Sequence, residues 1–221
     1  MNSTISETIL QAVFFDFDGV IVDSVDIKTD AFRIMFHQYG DEVVQKIADY
    51  HHRHGGISRV EKISYAHRCL IGAPLTDDQL GRWAEDYSKL VKKKVTDAAW
   101  IAGAEEFLVS MTGGVKVFVI SGTPQDELRD ILKARKMSHH FLEILGSPVK
   151  KPIHIRNLLK QYELSPERCI FVGDSLTDYN AAAETGLHFI GIRGKIDFPA
   201  GTIVLPDCSK LQRGIEKVLR Q

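Results

Sequence analysis

The chain has 221 residues, which is enough for one α/β domain or for such a domain with a small accessory one. Its 28 lysine and arginine residues nearly balance 29 aspartate and glutamate residues, so the net charge of -1 gives no support to a nucleic-acid or membrane-surface partner. The three cysteines form no Cys-x-x-Cys pair, and no apolar run approaches the ~20 residues of a membrane span. We therefore expect a reduced, cytoplasmic protein without nucleic-acid or membrane partners.

Short apolar runs are continuous rather than alternating, which is typical of strands covered on both faces of a parallel sheet. These runs lie at 12–15, 115–120, 142–145, 169–172, 189–192 and 203–205. Segments with apolar residues at helical spacing lie between many of them. This alternation predicts an α/β fold with a doubly wound, Rossmann-like parallel sheet.

The stretch from residue 22 to residue 96 breaks the alternation, because it shows helical patterns and no convincing strand. We interpret it as a small inserted helical domain, with residues 1–21 and 97–221 forming the α/β core. Within the insertion, the polar and glycine-containing segment from His51 to Arg59 predicts a loop. His51, His52 and His54 are then expected to be solvated loop residues.

Polar side chains follow three of the predicted strands. Asp16 and Asp18 come directly after the first strand, Ser121 follows the second, and Asp174 and Asp178 follow the fourth. In an open α/β sheet, ligands bind outside the carboxyl ends of the strands, so these groups are expected to converge on one crevice. Converging carboxylates repel one another unless a cation lies between them, and oxygen ligands of this kind suit Mg²⁺.

These segments also carry a resemblance to a known family. Asp-Phe-Asp-Gly-Val-Ile-Val-Asp-Ser at 16–24 resembles the first motif of the haloacid dehalogenase-like hydrolase superfamily, and Ser-Gly-Thr at 121–123 resembles the second. A lysine within Val-Lys-Lys-Pro at 149–152 resembles the third motif, and Gly-Asp-Ser-Leu-Thr-Asp at 173–178 the fourth. All four occur in order and span nearly the whole chain. A single motif of this kind would be weak evidence for the family, whereas all four motifs in this order are strong evidence for it.

The resemblance implies a role for each acidic residue. Asp16 would be the nucleophile that forms an aspartyl-phosphate, and Asp18 would act as general acid and then as general base. The presence of Asp18 favours a phosphatase over a haloacid dehalogenase, which lacks this second acid. Mg²⁺ would be bound by Asp16, the backbone carbonyl of Asp18, and Asp174. Asp178 would orient the catalytic lysine or the metal-bound waters.

The resemblance also implies that Ser121 and a lysine hold the phosphoryl oxygens, with Gly122 and Thr123 beside the substrate. Two adjacent lysines fit the third motif. The family places its lysine directly before a proline, which favours Lys151 over Lys150, and the choice between them stays open here.

The helical insertion resembles the α-helical cap of the phosphoglycolate phosphatase and β-phosphoglucomutase branch. Gly-Gly-Ile-Ser-Arg at 55–59 resembles the cap's specificity loop, in which Arg59 would bind a second anionic group of the substrate and Gly56 would allow close backbone approach. Many members of this branch carry a histidine where Lys28 stands in this chain. Lys28 is expected either to face the pocket or to be exposed.

The expected function is therefore Mg²⁺-dependent hydrolysis of a small phosphomonoester, either a sugar phosphate or a carboxylated phosphate. A phosphosugar mutase is the main alternative, because it uses the same two aspartates. A phosphonate-cleaving enzyme would need a cap lysine that forms a Schiff base, a possibility that Lys28 leaves open. A non-catalytic binding module is disfavoured, since Asp16, Asp18 and Asp174 are all present. The sequence does not indicate the oligomeric state.

Overall fold

The computed structural model describes residues 10–111 and 114–220, and six strands in these ranges form one parallel sheet. The strands are Ala12–Phe15 (β1), Lys116–Pro124 (β2), Glu143–Ser147 (β3), Cys169–Gly173 (β4), His188–Ile192 (β5) and Ile203–Leu205 (β6). Their order across the sheet is β3-β2-β1-β4-β5-β6, and every neighbouring pair is parallel. The predicted doubly wound, Rossmann-like α/β fold is confirmed.

Helices cover both faces of this sheet and also build the insertion. They are Val25–Phe36 (α1), Asp41–Arg53 (α2), Arg59–Tyr65 (α3), Asp77–Asp97 (α4), Ala104–Ser110 (α5), Gln125–Ala134 (α6), Lys151–Gln161 (α7), Leu176–Thr185 (α8) and Leu211–Val218 (α9). In β1, Val13 and Phe15 belong to one apolar cluster, whereas Ala12 and Phe14 belong to the other. This alternation follows from the two-residue period of a strand, so β1 is buried on both faces. None of the described helices is apolar over a length that would cross a bilayer.

The middle of the sheet fixes the position of the functional site. Strands β2 and β3 extend from one side of β1, and β4 to β6 extend from the other, so the strand order reverses between β1 and β4. Ligands bind at such a reversal, beyond the carboxyl ends of the strands. The residues that follow β1 and β4 and those that end β2 therefore meet at one place.

The helical insertion lies between β1 and β2. Residues 25–97, which the structure describes in full, contain α1 to α4 and no β-strand. The two connections to the core run side by side, since the Asp23 amide donates to the Ala99 carbonyl at 2.9 Å. Arg135 of the core donates to the Thr96 and Ala98 carbonyls at 2.6 and 2.7 Å, which anchors the second connection. The insertion is thus attached to the core through two chain connections that lie side by side.

Three local predictions were wrong. Helix α2 continues to Arg53, so the loop is shorter than the predicted segment from His51 to Arg59. His51 is buried rather than solvated, because its ring packs 5.0 Å from the ring of Phe32 on the inner face of the insertion. Although this segment is polar, it can continue the helix, because the helix dipole favours basic residues in the last turn. Strand β2 likewise continues to Pro124, so Ser121 lies within the strand rather than after it.

Candidate active site

Asp16 follows the last residue of β1 and is buried. Its amide donates to the Val172 carbonyl of β4 at 2.9 Å, which extends the sheet pairing by one residue and fixes the position of its side chain. One carboxylate oxygen accepts from the Phe17 amide at 2.7 Å and lies 2.9 Å from Lys151 Nζ. Burial raises the pKa of Asp16 to about 7, although Lys151 opposes this shift. Any cation that binds here will favour the carboxylate form, which is the form that can act as a nucleophile.

Asp18 has a different set of partners. Its Oδ1 accepts from Ser24 Oγ at 2.6 Å. Its Oδ2 accepts from Lys28 Nζ at 2.5 Å and from Thr123 Oγ1 at 3.1 Å, with Ser121 Oγ at 3.2 Å. Burial raises the pKa of Asp18, but Lys28 and the hydroxyl donors outweigh burial, and the pKa is lowered overall. Asp18 is therefore held as a carboxylate, the form that can accept a proton.

Lys151 is the lysine that reaches the carboxylates. It begins α7, is buried, and places Nζ 2.5 Å from Asp178 Oδ1 as well as 2.9 Å from Asp16. Burial lowers the pKa of Lys151, but the two carboxylates outweigh burial and raise the pKa above its usual value. Lys150 is exposed. The geometry thus places Lys151, and not Lys150, beside Asp16.

Asp178 is positioned by the start of α8. Its Oδ2 accepts from the Ser175 amide at 3.2 Å, and its own amide donates to Ser175 Oγ at 3.3 Å, which forms a capping box; Oδ2 also accepts from Ser175 Oγ at 2.6 Å. Its Oδ1 remains directed at Lys151. Asp178 is fully buried, and its charge acts directly on Asp16, whose pKa it raises.

Three carboxylates form a cluster that fits a divalent metal ion. Oxygen atoms of Asp16, Asp174 and Asp178 all lie within 4.8 Å of one another. Burial and the charges of Asp16 and Asp178 raise the pKa of Asp174 well above its usual value, which is the signature of carboxylates that lack a counter-charge. Within this cluster, Asp178 also binds Lys151 and Ser175, and Asp16 binds Lys151. Hard oxygen ligands of this kind suit Mg²⁺.

A cavity of about 340 Å³ opens between this edge of the sheet and the inner face of the insertion. Of the residues predicted for the site, seven line it: Asp16, Asp18, Gly56, Arg59, Gly122, Thr123 and Asp174. Ser121 and Lys151 lie behind them and contact Asp18 and Asp16. Lys28 faces the cavity and also donates to Thr123 Oγ1 at 2.7 Å. A volume of this size restricts the substrate to a small molecule.

The loop of the insertion touches the core through two glycines. A Cβ atom on Gly122 would lie 2.5 Å from the Gly56 carbonyl oxygen, which is closer than real Cβ contacts. Gly56 has a φ of 79°, in the left-handed region, and a Cβ atom there would meet Thr177 and Ser175 of the core. The absence of side chains at both positions thus allows the loop to close directly over the second and fourth motifs.

Arg59 lines the cavity, but its guanidinium is bound to another residue. Both of its terminal nitrogens donate to the Glu127 carboxylate at the start of α6, and Nη1 also donates to Ser88 of α4 at 2.5 Å. The guanidinium also lies 4.7 Å from the centre of the Tyr87 ring. Arg59 and Glu127 are both buried, so this bidentate pair joins the insertion to the core.

Sequence reasoning missed three residues near the cavity: His51, Lys62 and Glu127. Lys62 lies one helical turn after Arg59 and is buried, with Nζ 2.8 Å from His51 Nδ1. The i, i+3 spacing of Arg59 and Lys62 was the available signal, because residues so spaced share one face of a helix. Glu127 carried no such signal, since an acidic residue in the first turn of a helix has an ordinary explanation.

Comparisons with known proteins agree with this geometry. The sequence model of the haloacid dehalogenase-like hydrolases matches residues 13–192. A phosphorylated carbohydrates phosphatase from Thermotoga maritima is 24% identical over 221 residues, which cover 95% of this chain and 100% of that protein. A phosphoglycolate phosphatase from Nitrosospira multiformis is 26% identical over 188 residues, or 81% of each chain. The structure of β-phosphoglucomutase from Clostridium difficile has a TM-score of 0.78 at 18% identity, over 96% of this chain and 100% of that one, which shows a shared fold.

The chain belongs to the haloacid dehalogenase-like hydrolases, since the family match covers most of its length. The family predicted from the four ordered motifs is thereby confirmed, and with it the prediction that the protein is a hydrolytic enzyme. The roles of the individual site residues stay predictions, which the contacts described above make specific enough to test.

Proposed function

We propose that the protein is a Mg²⁺-dependent phosphatase that hydrolyses a small phosphomonoester through an aspartyl-phosphate on Asp16. One observation carries the proposal: Asp16 and Asp18 face the same cavity with separate partners. Asp16 contacts Lys151, whereas Asp18 contacts Lys28, Ser24 and the hydroxyls of the second motif. Separate partners allow one carboxylate to act as nucleophile while the other moves protons.

In the first step, an Asp16 carboxylate oxygen attacks phosphorus, and the bond from phosphorus to the leaving oxygen breaks. The leaving oxygen takes a proton from Asp18 and departs as an alcohol. Asp18 must be protonated for this step, although its pKa is lowered by Lys28 and the hydroxyls. The approach of a phosphate dianion adds negative charge beside Asp18 and so favours its protonation.

In the second step, water attacks the phosphorus of the aspartyl-phosphate. Asp18, now a carboxylate, takes a proton from this water, and Asp16 leaves as a carboxylate with inorganic phosphate as the product. Lys151 is fixed by Asp178 and offers its ammonium to the oxygens near Asp16 in both steps. Ser121 lies beside Asp18 at the edge of the same site.

The metal ion would be held by Asp16, Asp174 and the backbone carbonyl of Asp18, while Asp178 stays bound to Lys151. When bound, Mg²⁺ would supply positive charge that offsets the repulsion between a carboxylate nucleophile and an anionic phosphate. The side chain of Asp18 is turned toward Ser24 and Lys28, which leaves it available for proton transfer.

Residues 22–96 would act as a cap that closes over the substrate and excludes water. The contact between Gly56 and Gly122 and the pair between Arg59 and Glu127 support a closed arrangement as the state described here. In that state the guanidinium of Arg59 is bound to Glu127, so a direct contact of Arg59 with substrate requires a nitrogen not used by this pair.

The test is phosphate release from phosphoglycolate, sugar phosphates and nucleotides, with Mg²⁺ and with EDTA. We expect Mg²⁺-dependent turnover that Asp16→Asn abolishes, together with a phosphoryl adduct detectable by mass spectrometry in the active protein only. Asp30→Asn is the matched control, because Asp30 is an exposed acid that pairs with Arg33 on the surface.

Isomerisation of a sugar phosphate without phosphate release would replace the phosphatase by a mutase. Activity that persists in Asp16→Asn would show that Asp16 is not the nucleophile. The phosphonate-cleaving alternative needs a free amine at Lys28, whereas Lys28 donates to Asp18 and Thr123. Inactivation by borohydride in the presence of a phosphonate aldehyde would nevertheless support the phosphonate-cleaving alternative.

A further inference from the structure

Four lysine or arginine side chains are buried in the part of the chain that the structure describes: Lys28, Arg59, Lys62 and Lys151. Three of them pair with carboxylates. Lys62 has no carboxylate partner within the described ranges, and its Nζ contacts only the neutral acceptor Nδ1 of His51, at 2.8 Å. A buried charge is rarely left without a counter-charge, because desolvation is costly. Lys62 is therefore the exception to be explained.

Lys62 is only 3% exposed, yet it lines the cavity that receives the phosphate. An ammonium carries three N–H donors, and His51 accepts one of them. Lys28, the other cap lysine at this cavity, already donates to Asp18 and Thr123. Lys62 thus keeps two of its three donors for a ligand, whereas Lys28 keeps one.

We propose that Lys62, supported by His51, is the cap's receptor for a second anionic group on the substrate. The substrate class is then a small phosphorylated compound whose carbon skeleton also bears a carboxylate or a second phosphate. This inference rests on the proposed phosphatase function and narrows it, because a neutral sugar monophosphate would leave Lys62 without a counter-charge. It also assigns to Lys62 the role that the sequence predicted for Arg59, whose charge is balanced by Glu127.

The charges around Lys62 fit this assignment. Burial, and after it the charge of Lys28, lowers the pKa of Lys62, which is about 7. The carboxylates of Asp18, Asp174 and Asp16 face it from the core and raise the pKa, but they do not offset burial. Burial also lowers the pKa of His51 well below its usual value, and nearby Lys62 adds to the shift, so His51 is a neutral acceptor. An anionic group next to Lys62 would stabilise the ammonium form.

The experiment compares matched substrates that differ in the tail, by which we mean the part of the molecule away from the phosphate that is released. The pairs are phosphoglycolate with 2-hydroxyethyl phosphate, 6-phosphogluconate with glucose 6-phosphate, and fructose 1,6-bisphosphate with fructose 6-phosphate. We expect the wild-type protein to prefer the anionic-tailed member in at least one pair. In Lys62→Met, kcat/KM for that member should fall about 10- to 100-fold, mostly through KM, since a hydrogen bond to a charged group is lost. The neutral-tailed member should change by less than about 3-fold.

Lys62→Arg keeps the charge and should retain most of the preference for the anionic-tailed substrate. If Lys62 had a purely structural role, the preference would not depend on the charge at this position. Lys46→Met is the matched control, because Lys46 is an exposed cap lysine on α2 that pairs only with Glu42 in the described part of the chain. Preference in the first two pairs would indicate a carboxylate tail, and preference in the third a second phosphate.

An equal loss on both members of a pair would overturn the proposal, as would unchanged kinetics in Lys62→Met. A wild-type preference for the neutral-tailed member in every pair would also overturn it. If none of the six compounds released phosphate, the phosphatase function would fail. Calorimetric binding of phosphoglycolate would then test Lys62 by itself: weaker binding in Lys62→Met would support the receptor, and equal binding would exclude it.

Discussion

The carboxyl edge of the sheet and the inner face of the cap line the same cavity, but their buried charges are balanced in different ways. At the sheet edge, Lys151 lies between Asp16 and Asp178, and the surplus of carboxylates calls for a cation. On the cap, Arg59 is balanced by a core residue, and Lys62 is balanced by no carboxylate of the described chain. The edge thus has negative charge to offer a metal ion, and the cap has positive charge to offer a substrate.

This difference separates two tasks. The groups at the sheet edge are fixed by short contacts within the core, which suits chemistry that is common to many phosphate esters. The cap groups come from α1, α2 and α3, so their arrangement changes when the helices or their side chains change. We therefore propose that the core carries out the chemistry and that the cap selects the substrate.

The largest effect is expected from Lys151→Met. This change leaves Asp16 and Asp178 buried beside each other without their shared cation, so unfolding free energy should fall by about 3–5 kcal/mol. Turnover should fall by at least about 10³-fold, because an interaction with the transferring phosphoryl group is lost as well. Thermal unfolding and steady-state kinetics at saturating Mg²⁺ measure the two effects.

Lys150→Met is the matched control for this prediction. Lys150 is the adjacent lysine and is exposed, so its replacement should change stability by less than about 0.5 kcal/mol and leave turnover nearly unchanged. If Lys150→Met lowered turnover as much as Lys151→Met, the assignment from the geometry would be wrong.

The next effect tests the ion pair between cap and core. Arg59→Met leaves the Glu127 carboxylate buried and uncompensated, and should lower the unfolding free energy by about 3 kcal/mol. The double variant Arg59→Met/Glu127→Leu should regain much of that loss, since both charges are then removed. Denaturant unfolding of the wild type, both single variants and the double variant gives the coupling energy.

The kinetics of the same variants separate two roles for Arg59. If Arg59 mainly joins cap and core, Glu127→Leu and Arg59→Met should lower kcat/KM alike, on anionic-tailed and neutral-tailed substrates. A loss in Arg59→Met alone, confined to anionic tails, would instead return the substrate-binding role that the sequence suggested for this residue.

The core site was predictable from sequence for a physical reason. Asp16, Asp174 and Ser121 are placed by the sheet, and a run of buried residues followed by a polar group already fixes both the strand and the direction of what comes after it. The choice between Lys150 and Lys151 needed the structure, because only the orientation of the first turn of α7 decides which lysine is buried.

The cap was predictable as helices, and Gly56 and Arg59 of its loop line the cavity as expected, but the contacts of its buried polar residues were not predictable. His51 was assigned to a solvated loop because its neighbours are polar, and its burial follows from packing against Phe32, which lies in another helix. Glu127 is distant in sequence from Arg59, so no local pattern linked the two. Contacts between helices that are far apart in the chain are set by tertiary packing, which periodicity does not report.

A smaller effect is expected where the cap loop touches the core. In Gly122→Ala, the new Cβ atom would lie 2.5 Å from the Gly56 carbonyl, so the loop and the second motif must move apart. Overpacking of this kind costs about 1–3 kcal/mol, and we expect kcat/KM to fall about 10- to 100-fold. Because the strain is present only when the cap is closed, the melting temperature should change little.

Gly114→Ala provides a control for adding a methyl group to a glycine outside the site. A Cβ atom there meets no atom of residues 10–111 or 114–220 within 4 Å, although its φ of 101° adds some strain of its own. Gly122→Ala could instead lower the melting temperature strongly and lower kcat/KM only as much as the loss of folded protein explains. That result would indicate a damaged core rather than a cap that cannot close.

The smallest effect concerns Mg²⁺ and pH. Burial raises the pKa of Asp16 to about 7 and that of Asp174 well above its usual value, so between about pH 4 and pH 7 the folded metal-free protein binds more protons than the unfolded chain. The contribution of these carboxylates to stability is therefore present at low pH and is lost as the pH rises through this window. Mg²⁺ binds the ionised form, so it should raise the melting temperature by about 2–5 °C at pH 8 and by less at pH 5.

His51 and His52 oppose this trend, since burial lowers the pKa of both and their contribution is lost as the pH falls. The difference between wild type and Asp174→Asn isolates the carboxylates, because the variant keeps both histidines. When metal-free, Asp174→Asn should lose less stability than the wild type as the pH rises from 5 to 8, and Mg²⁺ should shift its melting temperature little at either pH. An equal Mg²⁺ shift in the variant would place the ion elsewhere, and the negative charge at the sheet edge would then need another explanation.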